Sequence, residues 1–155
     1  MKALLDEQSL IRANAQFWEQ MLAMQVDTMA SAMEFCVQGG HLLGYVVMGG
    51  AWKGRVEVRM AAGLAYEATA AMLMQPLDSV GEADALDATK EIANMIAGTI
   101  KSSLPRPCSM SVPESAVEAA GFCGPARAED ALAVGFRHPS GEMMVRIWEQ
   151  ECIVA

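Results

Sequence analysis

Asp87, Glu91 and Asn94 stand in the run DATKEIANMIAGTIKSSL, residues 87–104. At about 100° per residue, steps of three and four place Asp87, Glu91, Asn94, Gly98 and Lys101 on one stripe of a helix. The opposite stripe carries Ala88, Ile92, Met95, Ile96, Thr99 and Ile100. Such a helix buries its isoleucines and presents a carboxylate and a carboxamide side by side. A carboxamide is a poor acid, a poor base and no nucleophile. It both donates and accepts hydrogen bonds, so it can orient a water. Positioning the attacking water is a catalytic role in phosphoryl transfer. A carboxylate three residues away can grip a cation on a partner. The pair can therefore clamp onto something already activated and supply a placed water, but cannot do the chemistry alone. On spacing alone the stripe is also readable as an ordinary solvated helix face, which is the commoner case. The chain has only two Asn, Asn14 and Asn94. Asn is an indifferent helix former, so its mid-helix place calls for a reason.

The elements that must hold this stripe follow from periodicity and breakers. A first long helix is expected over residues 8–35, with Leu10, Phe17, Met21, Leu22, Met29 and Met33 among its core positions, ended by Gly39-Gly40. Residues 41–48 read as an apolar strand. Residues 55–60 alternate Arg, Val, Glu, Val, Arg, Met, the pattern of a half-buried strand with a charged outer face. A helix over 64–74 is closed by Pro76, and the motif helix begins near Asp84 and stops at Pro105. Residues 108–112 form a strand ended by Pro113, followed by a short helical turn. The last two strands, 131–137 and 142–148, flank the hairpin turn His138-Pro139-Ser140-Gly141. Helices in one part and adjacent strands elsewhere imply one α+β domain over residues 1–155, with a largely antiparallel sheet and long helices packed on it.

Composition narrows the chemistry. The apolar fraction is 53%, with 13 Met and few aromatics, which suits an aliphatic, adaptable core. A net charge of −8 argues against nucleic acid and anionic membrane as partners. The start MKALLDEQ lacks the apolar run of a signal peptide. The longest apolar stretch, residues 42–52, is glycine-broken and too short to span a bilayer. Cys36, Cys108, Cys123 and Cys152 form no CxxC pair and suit neither zinc nor a redox motif. Reduced core thiols and a cytoplasmic location are expected. No phosphate loop, dinucleotide glycine pattern, nucleophile elbow or HExxH is present. Gly39-Gly40 and Gly49-Gly50 read as turns at strand ends.

The motif residues resemble the signature of the CheC/CheX/FliY phosphatases of bacterial chemotaxis: Asp or Ser, three residues, Glu, two residues, Asn, then an apolar pair and a Gly. Here it reads Asp87, Glu91, Asn94, Met95, Ile96 and Gly98, with Lys101 where these proteins often carry Lys. One departure is Thr99, where an Asn often follows the Gly. The order of elements fits over residues 10–150. The resemblance implies a phosphatase of the response regulator CheY, whose aspartyl phosphate is intrinsically labile. By that resemblance Asn94 aligns a water for in-line attack, and Glu91 pairs with the receiver's active-site Lys. The Mg²⁺ belongs to the receiver, and this chain is expected to bind no metal or cofactor. Gly98 either lets a partner come close or serves tight helix packing. Asp87 is either a partner contact or a first-turn acid favoured by the helix dipole. Members with two active helices exist. Here Glu19 is followed by Leu22 three on, Glu34 by Val37, and Asn14 is preceded by Ile11. One site per chain follows, which is CheX-like.

Two other functions are compatible with the same fold. One is a non-catalytic adaptor holding a receiver or a CheD-type deamidase. The other is a structural homodimer domain whose motif helix is merely exposed. A homodimer joined through its sheets is expected from the resemblance. The closing hairpin is its candidate edge, since Met143, Val145 and Ile147 alternate with Met144, Arg146 and Trp148 and both faces are largely apolar.

Overall fold

The structure, a computed structural model, describes residues 6–124 and 131–149. Helix α1, Glu7–Leu22, starts where the Asp6 carboxylate accepts the Ser9 backbone N–H at 2.7 Å, satisfying one open donor of the first turn. It stops at Ala23, which takes the left-handed conformation and returns its N–H to Glu19. The expected helix to residue 35 is thus corrected. The chain beyond Ala23 crosses to the other side of the sheet as strand β1, Asp27–Thr28, a 3-10 turn, Ala32–Glu34, and strand β2, Cys36–Val37. The 3-10 turn is capped at both ends of its first step, Ser31 Oγ accepting from Met33 N–H and Glu34 accepting from Ser31 N–H. Met29 and Phe35 are buried there, while Met21 and Met33 are exposed.

Strands β3, His41–Gly50, and β4, Gly54–Ala61, form a hairpin. Helices α2, Ala62–Leu73, and α3, Glu82–Lys101, follow. Then come β5, Cys108–Met110, β6, Glu114–Glu118, β7, Phe122–Cys123, β8, Ala131–His138, and β9, Gly141–Glu149. The main sheet runs β1-β8-β9-β4-β3-β5, with β6 also on β3, and every pairing is antiparallel. The helical turn expected after Pro113 is strand β6 instead, paired with β3 from Glu114 to Glu118. The α+β architecture holds.

Alternation along the strands divides the side chains between two layers. Leu42, Val46, Met48, Val56, Val58, Met60, Met143, Val145 and Ile147 face the helices. With Leu10, Trp18, Leu64, Ile92, Ile96 and Ile100 they make the main core. On the opposite face a smaller cluster gathers Met29, Ala32, Phe35, Val37 and Met144. The charged face expected on β4 is therefore not solvated. Glu57 is 2% exposed. Its carboxylate accepts from Arg146 Nη2 at 2.6 Å and Nε at 3.0 Å, and Arg55 Nη2 lies 3.1 Å away. Phe122 lies over the Arg59 guanidinium. A buried carboxylate needs such partners to offset its lost hydration.

Two further expectations change. Strand β9 lies between β8 and β4, not at an edge. Both its faces are covered within the chain, one by the helices and the other by the segment carrying Met29 and Phe35. Its apolar alternation marks a central strand, so it does not argue for a dimer edge. Cys36 and Cys123 are not core thiols. They face each other across the β2–β7 ribbon, are exposed, and are disulfide-bonded. Cys108 is free and half-buried, and Cys152 lies outside the described residues.

Candidate functional site on helix α3

Helix α3 begins after Gly81, whose N–H is accepted by the Asp84 carboxylate at 3.1 Å. Glu82 and Asp84 occupy the first turn, where the helix dipole favours them. Asp87 falls in the second turn, beyond most of that effect, so the first-turn reading of Asp87 is withdrawn. Lys101 closes the last turn with the matching sign.

The buried face consists of Ala85, Ala88, Thr89, Ile92, Ala93, Ile96, Ala97 and Ile100. It is broader than the expected stripe and turned toward the small residues. Met95 is only half-buried and Thr99 is exposed, its hydroxyl donating to the Met95 carbonyl at 3.2 Å. The cause is Gly44 on β3. A Cβ at Gly44 would lie 2.8 Å from the Thr89 carbonyl oxygen and 3.2 Å from Ala93 Cβ. The bare backbone lets α3 sit directly on the strand. Thr89 turns its own hydroxyl back to the Ala85 carbonyl at 2.7 Å, so no polar group is stranded at this contact. Sequence reasoning missed Gly44, Thr89 and Ala93 as the seat of the helix. A glycine inside an otherwise apolar strand was the available signal.

On the outer side, Asp87, Glu91, Gly98 and Lys101 are exposed and Asn94 is half-buried, all on one stripe as expected. No side-chain hydrogen bond or ion pair among the described residues engages Asp87, Glu91, Asn94 or Lys101. The Asn94 amide and Glu91 carboxylate thus keep their hydrogen-bonding capacity for something outside the chain. Gly98 is not a packing glycine, because a Cβ there would meet nothing within 4 Å. Beyond it the stripe opens into a groove of about 680 Å³, lined by Gly98, Lys101, Ser102, Arg106, Pro107 and Cys108.

The other Asn is differently placed. Asn14 is 1% exposed, donates to the Leu10 carbonyl at 2.9 Å, and faces α3 beside Phe17, Ile96 and Thr99. It cannot meet a partner protein there. Among the described residues, no group of three or more His, Cys, Asp or Glu side chains is placed to hold a metal ion. No helix among them is long and apolar enough to cross a membrane.

Comparison with known proteins places this geometry. No curated protein sequence matches the chain. Among solved structures, a CheC-like superfamily protein from Shewanella sp. PV-4 superposes with a TM-score of 0.72 at 17% identity, covering 92% of this chain and 95% of that one. A putative chemotaxis protein from Desulfovibrio vulgaris Hildenborough gives 0.70 at 19% identity, covering 91% and 94%. CheX in a CheX–CheY–BeF₃–Mg²⁺ complex from Borrelia burgdorferi gives 0.69 at 17% identity, covering 96% and 99%. At such identities these superpositions establish the fold. The family model described as chemotaxis phosphatase CheX matches residues 42–134, a span that contains all of β3 but His41, β4, the whole of α3 and its Glu91–Asn94 stripe. The chain belongs to the CheX family of chemotaxis phosphatases.

Proposed function

We propose that this protein hydrolyses the aspartyl phosphate of a CheY-type receiver. The observation that carries the reading is the stripe of α3. Glu91 and Asn94 stand one turn apart, with no partner among the described residues, on a helix seated firmly on the sheet. The Borrelia relative, solved with CheY, BeF₃ and Mg²⁺, supports a receiver as the partner class.

In this mechanism Glu91 pairs with the receiver's active-site Lys and brings α3 over the acyl phosphate. Asn94 donates to and accepts from one water and holds it in line with the bond to be broken. Water oxygen attacks phosphorus, the bond from phosphorus to the aspartyl oxygen breaks, and inorganic phosphate and the free carboxylate are released. The receiver's Mg²⁺ neutralises charge on the phosphoryl oxygens when bound. Asp87, Gly98 and Lys101 extend the contact along the same stripe. This chain supplies no metal or cofactor of its own in the reaction.

The decisive experiment is the lifetime of the phosphorylated receiver with and without this chain. A lifetime shortened in proportion to substoichiometric protein is the expected result. An unchanged lifetime together with tight binding would instead identify an adaptor, for a receiver or a CheD-type deamidase. A symmetric dimer with both α3 stripes free is part of the same proposal, so that two receivers are engaged at once. It rests on the family resemblance, and a solution mass near the 16.6 kDa of one chain rejects it.

A further inference from the structure

We infer that the groove at the C-terminal end of α3 is a second docking element for the receiver, gripping an acidic segment that carries an apolar side chain. This rests on the function proposed above and names the part of the partner that the Glu91–Asn94 pair does not reach.

Four observations carry it. The groove is continuous with the proposed contact, because Gly98 and Lys101 belong both to the Glu91–Asn94 stripe and to the groove wall. Its rim is cationic in a chain of net charge −8. Lys101 and Arg106 are exposed, and neither has a carboxylate within ion-pair distance among the described residues. Its remaining lining is Pro107 and the half-buried Cys108, an apolar floor, with Ser102 already engaged by the Thr99 carbonyl at 2.7 Å. The groove is open along one side, with a volume of about 680 Å³. Gly98 completes the argument. A mid-helix glycine weakens its helix, and here no neighbour among the described residues requires it. An approaching partner segment does.

The test measures affinity and turnover together, using a CheY-type receiver of the same organism activated with beryllofluoride and Mg²⁺ for binding, and phosphorylated for turnover. Lys101→Glu with Arg106→Glu reverses the rim. It is expected to weaken binding at least tenfold, to flatten the salt dependence of affinity, and to act on KM more than on kcat. Gly98→Met fills the groove by a separate route. The open space around Gly98 lets it fold, with a melting temperature no lower than that of the parent, and binding is again weakened at least tenfold. Wild-type affinity and salt dependence in both variants would overturn the groove while leaving the proposed phosphatase intact. Loss of a doubled solution mass in these variants, with receiver affinity unchanged, would overturn it in favour of a second copy of this chain as the occupant. Failure of the unmodified protein both to bind the receiver and to shorten its phosphate lifetime is a distinct pattern, and removes the phosphatase reading itself.

Discussion

Gly44 of β3 and Thr89 of α3 meet backbone to backbone. A Cβ added to Gly44 would come within 2.8 Å of the Thr89 carbonyl oxygen and 2.9 Å of its Cγ2. Thr89 is two residues before Glu91, so this contact sets how far the Glu91–Asn94 stripe stands from the sheet. Gly44→Ala must push α3 outward against a packed core. We expect a loss of about 1–3 kcal/mol, the range for overpacking, read as a lower denaturation midpoint. A midpoint equal to the parent's would show that the contact relaxes freely and does not seat the helix.

Asn94→Ala removes the proposed water-positioning group from a half-buried site and puts a better helix former in its place. Stability should be unchanged or slightly higher. Receiver dephosphorylation should slow by about a hundredfold or more, the scale of losing one transition-state hydrogen-bonding group. Near-parental turnover at parental stability would remove Asn94 from the mechanism.

Glu91→Gln keeps size and hydrogen bonding but removes charge. If Glu91 acts through a pair with the receiver Lys, the variant binds the activated receiver more weakly. The deficit is larger at low salt, where exposed charges are least screened. A salt-independent or absent deficit, measured by titration at two ionic strengths, reduces Glu91 to a surface acid.

His41 supplies a pH dependence. It is 1% exposed, its Nε2 faces Arg59 Nη1 at 2.8 Å, and its ring packs near Phe122. Burial first, and the Arg59 charge second, hold its pKa below the usual 6.5. The unfolded chain therefore binds a proton that the folded one refuses. Its stabilising contribution is complete above about pH 6.5 and is lost as pH falls through the depressed folded value. Thermal melts between pH 8 and pH 5 should show this slope in the parent and a shallower one in His41→Gln. Equal slopes would place the titration elsewhere.

The Cys36–Cys123 bond closes a segment of 87 residues. It ties the 3-10 turn region to the strand that carries Phe122 over Arg59. Disulfide bonds typically contribute about 2–4 kcal/mol. Under oxidising conditions Cys36→Ser should be less stable than the parent by that order, and a thiol reductant should remove the difference. A parent midpoint indifferent to reductant would mean the bond adds nothing to stability.

The sequence by itself determined the stripe proposed as the site. The spacing of Asp87, Glu91, Asn94, Gly98 and Lys101 is a local property of one helix, and 3.6-residue periodicity places such residues on one stripe whatever surrounds it. The same locality made strands β3 and β4, the β8–β9 hairpin, the second helix and the α+β class readable, because turn residues and alternation act over a few positions. Only tertiary structure decided what the rest of each surface faces. The apolar residues of 24–35 suit a helix by count. A left-handed Ala23 and pairing of Asp27–Thr28 with β8 send Met29 and Phe35 to the far side of the sheet. The charges of β4 look solvated in one dimension, yet Glu57 and Arg146, 89 residues apart, neutralise each other under that second layer. The apolar hairpin strand looked like an edge and is central. Cys36 and Cys123 carry no motif, and only strand register makes them partners. In each case the controlling contact joins residues far apart along the chain. Periodicity reports that a residue will be buried, and the chain's long-range pairing chooses against what.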